Sequence, residues 1–152
     1  MGRMYSVSFE EVAATAAQDL FEIVAPADSV VLLHALYLSQ STEEADAQSE
    51  MLPLLIHRGS TSGSGGSVPT ARPMNVGDAA FGGTVEANNT TQSTEGTFVH
   101  SDSWNVQIPY QLVWTPECRP VLAPSGRIIV ELQAAPADSM NINGTLYVEE
   151  IG

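Results

Sequence analysis

From Trp104 to Thr115 the chain alternates with period two. Trp104, Val106, Ile108, Tyr110, Leu112 and Trp114 fall in one phase; Asn105, Gln107, Pro109, Gln111 and Thr115 fall in the other. Such alternation predicts a half-buried β-strand. Pro109 lacks a donor, so the segment lies at an edge, carries a bulge or breaks into two strands. Ser29–Gln40 reads differently. Val30, Leu32, Leu36 and Leu38 fill one phase, and Val31, Leu33, Ala35 and Tyr37 fill the other. A strand apolar on both faces is central in a two-layer structure or covered by a neighbouring subunit. Met51–His57 has the same two-sided character, with Pro53 inside it. Leu33, Tyr37, Leu55 and His57 are therefore candidate interface residues.

Arg127–Ala134 alternates again, with Ile128, Val130 and Leu132 against Arg127, Glu131 and Gln133. Gly144–Ile151 is a β-branched and aromatic strand, and Gln18–Val24 and Thr97–His100 are shorter candidates. The opening segment is ambiguous. Tyr5, Val7 and Phe9 alternate like a strand, whereas Phe9, Val12, Ala13, Ala16 and Leu20 suit a helix face. A strand or N-terminal arm over residues 1–17 is the favoured reading, with a helical turn as the alternative.

A long irregular stretch spans residues 59–89. It opens on the Gly/Ser tract Gly59–Gly66 and runs through Pro69, Pro73, Gly77, Gly82 and Gly83. Loops of this length are uncommon in compact domains and are usually functional or mobile. Val76, Phe81 and Val85 imply that its second half packs down. An internal repeat frames the rest. Ala25-Pro26-Ala27-Asp28-Ser29 recurs as Ala135-Pro136-Ala137-Asp138-Ser139, and at the same offset Leu36-Tyr37 matches Leu146-Tyr147. Pro presets a turn torsion and Asp can bond its own backbone, so Pro26, Asp28, Pro136 and Asp138 are expected to build two related corners. About eight short strands with Gly/Pro turns predict one all-β domain over residues 1–152. The expected form is an antiparallel β-sandwich, most plausibly a jelly roll, with one long Gly/Ser/Pro-rich loop.

Composition narrows the function. The 152 residues carry 18 acids against five arginines and no lysine, a net charge of −13. Phosphate recognition needs clustered cations, so neither nucleic acid nor an anionic membrane is an expected partner. No apolar run approaches the roughly 18 residues of a membrane-spanning helix, and the N-terminus lacks the basic and apolar regions of a signal peptide. Synthesis and folding in a cytoplasm are expected. With a single cysteine there is no disulfide framework. Cys118 has no matching His motif and is expected to be a packed thiol.

Chemistry is sparse. His34, His57 and His100 form no HxH, HxxxH or HExxH pair, and satisfied core or interface histidines are expected rather than metal ligands. The Gly/Ser tract matches neither GxSxG nor a Walker motif, which leaves a flexible linker-like loop. Glu43-Glu44 and Glu149-Glu150 are adjacent pairs, which point to opposite faces of a strand. The acidic loop Glu43–Glu50 lacks calcium-loop spacing. No catalytic residue, cofactor or metal site is assigned, and a non-enzymatic protein is expected. Trp104, Tyr110 and Trp114 share one strand phase, so core filling stands beside a carbohydrate-binding face. A hidden hydrolase would need two carboxylates converging in a cleft, one with a raised pKa.

Asp19-Leu20-Phe21-Glu22, the Pro26–Ser29 turn, Ile56-His57-Arg58-Gly59, Gly77–Thr84 and the ending Gly144–Ile151 together resemble small virion proteins of tailed bacteriophages and prophages. The likeness covers nearly the whole chain and contains no catalytic signature. It implies a capsid decoration or cement protein, of the kind that sits as a homotrimer on the capsid exterior and stabilises the major capsid protein shell. The alternative is a carbohydrate- or receptor-binding module of a virion.

Overall fold

The computed structural model describes residues 2–42 and 49–152. Glu43, Glu44 and Asp46 of the acidic loop lie outside them. Strands β1 (Arg3–Ala14), β2 (Gln18–Val24), β3 (Val30–Gln40), β4 (Met51–Arg58), β5 (Arg72–Pro73), β6 (Thr84–Asn89), β7 (Thr97–Asn105), β8 (Tyr110–Val113), β9 (Val121–Leu122), β10 (Arg127–Leu132) and β11 (Met140–Ile151) build the chain, with one 3₁₀ turn at Pro116–Cys118. They form two antiparallel sheets. Sheet A runs β5-β1-β11-β3-β8, with β9 also on β3; sheet B runs β6-β2-β10-β4-β7.

The sheets enclose one core. Tyr5, Val7, Leu33, Leu36, Leu146 and Val148 enter it from sheet A, and Phe21, Ile23, Leu54, Ile56, Val130 and Leu132 from sheet B. Three bulges explain why the sequence pattern is hard to phase. In β1 the register jumps between Phe9 and Val12, with Glu11 in a left-handed conformation (φ 54°). One extra residue turns period two into a local spacing of three, which is the spacing that mimicked a helix. In β3 the register shifts around His34, so Val31 and Leu33 face inward before it and Leu36 and Leu38 after it. Much of this strand's two-sided look is that change of phase. In β2 the shift around Leu20 sets Asp19 opposite Glu131.

The run from Trp104 to Thr115 divides at Pro109. β7 ends on the edge of sheet B and β8 begins on the edge of sheet A. Asn105 makes the corner, its side-chain oxygen accepting from the Gln107 amide and its carbonyl from the Ile108 amide. The two Pro-Ala-Asp-Ser segments occupy equivalent places, since each carries the chain from sheet B to sheet A. Their flanking strands are neighbours, β2 beside β10 and β3 beside β11, with Leu36 opposite Leu146.

Other expectations change. The Gly144–Ile151 strand begins at Met140. Thr84–Asn89, read as loop, is a strand on the edge of sheet B. Cys118 is exposed, not packed, because its 3₁₀ turn buries none of its residues.

Candidate functional site

The outer face of sheet B carries acids in adjacent register. Asp19 lies opposite Glu131, and Glu22 lies opposite Glu86. His57 pairs with Ile129, two residues along from Glu131, placing its ring diagonally across β4 and β10. Four of these side chains are sealed from solvent, Asp19 and His57 at 0% exposed, Glu22 at 2% and Glu131 at 5%, while Glu86 is partly exposed.

Two loops seal the face. Ser62 Oγ donates to Glu22 Oε1 at 2.8 Å, and the Gly63 amide to Glu22 Oε2 at 2.9 Å. Arg127 Nε lies 2.8 Å from Glu22 Oε1. Reciprocal backbone bonds join Ser64 to Thr91 and Ser67 to Ala87. The following loop, residues 90–96, adds Ser93 N–H to Asp19 Oδ2 (2.7 Å), Gln92 Nε2 to Glu131 Oε1 (2.6 Å) and Gly96 N–H to His57 Nδ1 (3.3 Å). The Gly/Ser tract is thus a cover pinned to carboxylates, not a free linker. Its glycines permit the close approach: a Cβ on Gly63 would stand 2.8 Å from both Asp19 Oδ2 and Asn89 Nδ2.

Burial pushes the Asp19 carboxyl above the usual range, against the lowering effect of the Ser93 hydrogen bonds. Burial likewise raises Glu131 to about 7, helped by the negative charges of Glu95 and Asp19. Asp19 Oδ1 and Glu131 Oε2 have no hydrogen-bond partner among the described residues. This is a carboxylate pair with raised pKa values, though it lies under two loops rather than in an open cleft. No group of three His, Cys, Asp or Glu among the described residues converges as a metal site.

The outer face of sheet A contrasts with this. Register gives three rows across β11, β3 and the edge strands: Tyr147–Ala35–Val113, Thr145–Tyr37–Gln111 and Glu149–Leu32–Val121. Tyr37 and Tyr147 meet edge to face at 5.9 Å. Tyr37 is 37% exposed, Val121 46% and Val113 57%. His34, the bulge residue, holds Glu149 Oε2 at 2.8 Å on the same face. Alongside lies an open hollow of about 330 Å³ lined by Tyr37, Ser39, Tyr110, Gln111, Asn143 and Thr145, among others. Gln111 Nε2 donates to the Tyr37 hydroxyl at 3.3 Å.

The four candidate interface residues are thus divided. Leu33 belongs to the core, Leu55 and His57 are buried on the outer face of sheet B, and Tyr37 stands in the open on sheet A. Trp104 and Trp114 are core residues, with Trp104 Nε1 donating to the Ile108 carbonyl at 2.8 Å, so the expected aromatic stripe is not a binding face. The sequence reading did not single out Asp19, Glu22 and Glu131. The available signal was their position as acids inside strands whose other residues are nearly all apolar. No protein-family model, curated protein or solved structure matches the chain.

Proposed function

We propose that this chain is a non-enzymatic structural protein of jelly-roll type that works by burying the outer face of sheet A. The strand order supports the jelly roll: β1-β11-β3-β8 faces β2-β10-β4-β7, the arrangement of two interleaved Greek keys. The observation that carries the functional reading is the strip of Tyr37, Val113 and Val121, exposed, with Leu32 and Tyr147, partly exposed, on one sheet face. Interface cores are depleted of charge and enriched in tyrosine; this strip presents two tyrosines, and its one acid, Glu149, is held by His34, on a chain of net charge −13.

The occupant proposed for the strip is a second copy of the chain, within a trimer. That assembly would decorate the outside of a phage head, as the resemblance implies. Stabilisation of the shell would follow from binding only its assembled form.

Light scattering on the purified chain tests this. A trimer is expected, and Val113→Asp is expected to return it to monomer without loss of folding. A wild-type monomer that is also absent from purified phage particles sinks the proposal.

The hollow beside the strip favours a second reading, glycan or receptor binding. Its tyrosines offer apolar faces, and its amides and hydroxyls offer neutral hydrogen-bonding groups. Glycan binding abolished by Tyr37→Ala would support that role.

A further inference from the structure

Glu131 occupies an unusual position on the sealed face. It stands on β10 between the 90–96 loop and β4, 5% exposed. Gln92 meets its Oε1 at 2.6 Å. That separation is shorter than the usual 2.7–3.2 Å of an N–H···O bond and falls within the O–H···O range. A side-chain amide presents oxygen or nitrogen after a half-turn that leaves its shape unchanged. A protonated Glu131 donating Oε1–H to the Gln92 oxygen therefore fits the distance better than a carboxylate accepting from nitrogen.

The second oxygen is consistent with this. The Gly96 amide donates to His57 Nδ1, which places the ring proton on Nε2. Nε2 then lies 3.1 Å from Glu131 Oε2, close but off the axis of a good hydrogen bond, and neither atom has a hydrogen-bond partner among the described residues. With Nε2–H facing it, a proton on Oε2 would find no acceptor in the ring, so a carboxyl proton sits on Oε1, toward Gln92.

The surrounding charges also favour the neutral acid. Asp19 and Glu22 lie on β2, Glu86 on β6 and Glu95 in the 90–96 loop. Against these acids stand the His57 ring on β4 and one cation, Arg127 on β10, which is engaged by Glu22. Arg58, at the end of β4, turns away to the Val121 carbonyl.

We infer that Glu131 keeps its proton in the folded protein under mildly acidic conditions, where an ordinary carboxyl has lost it, and donates it to Gln92, latching the 90–96 loop to sheet B. The folded carboxyl titrates near 7, above its ordinary value of 4.5. Between those values the folded chain binds more protons than the unfolded one, so the latch weakens as pH rises through the window. Its contribution is complete below about 4.5 and lost above about 7.

Carbon-13 NMR of the wild-type carboxyl groups tests the inference directly. A Glu131 midpoint near neutrality is expected, and a midpoint below about 5 overturns the proposal. Glu131→Gln is a neutral isostere that can make the same contact with a turned Gln92. Between about pH 6 and 8.5, the Ser93 and Gly96 amides of the wild type should lose roughly tenfold in protection, corrected for intrinsic exchange, while the variant holds steady. An equal loss in the variant also overturns the latch. If Glu131→Gln fails to fold, the wild-type titration decides alone.

Discussion

Glu22 on sheet B and Tyr37 on sheet A both point away from the core, yet Glu22 is 2% exposed and Tyr37 37%. Over the face that carries Glu22 the chain returns twice, with the Gly/Ser tract on Glu22 itself and then with the 90–96 loop on Asp19, Glu131 and His57. Over Tyr37 nothing of the described chain returns. The contrast shows that loop placement, rather than strand sequence, divides the two faces. An acid on a strand stays charged and buried only if the covering loop supplies donors, and Ser62, Gly63 and Ser93 supply them here. An apolar outer face left without such a cover is available to another molecule.

The sharpest way to break this contrast is Glu22→Ala. It strands the buried Gly63 amide, removes the acceptor of Ser62 and leaves Arg127 without its partner. Loss of one member of a buried ion pair costs about 3–5 kcal/mol, and urea unfolding should report a destabilisation of that order. A smaller effect is expected from Gly66→Val. The new Cβ would collide with the Ala87 carbonyl, a backbone atom that cannot turn aside. A loss of about 2 kcal/mol is expected, read as a lower thermal midpoint. The smallest effect belongs to sheet A: Tyr37→Ala removes a half-exposed ring and its contact with Tyr147, and should cost less than about 1 kcal/mol in the monomer. If Tyr37→Ala proved as damaging as Glu22→Ala, the two faces would not differ in the way described.

The strands themselves were largely legible. Trp104–Thr115, Ser29–Gln40, Met51–His57 and Arg127–Ala134 all contribute strands near their expected places. Phase was harder to read, because bulges at Glu11, His34 and Leu20 each insert one residue and move later side chains to the other face. The same effect concealed the buried acids. Asp19 and Glu131 are far apart in sequence and become a pair only through the shifted register of β2 and β10.

Alternation, Gly/Pro punctuation and low charge sufficed to predict an all-β chain, because burying one face of a pleated strand demands period two locally. The repeated Pro-Ala-Asp-Ser segments likewise marked two connectors within the sequence alone. Which strands became neighbours, which sheet face the Gly/Ser tract covered and which acids lost their water depended on long-range pairing. Those outcomes depend on contacts between residues remote in the chain, and no local pattern encodes them.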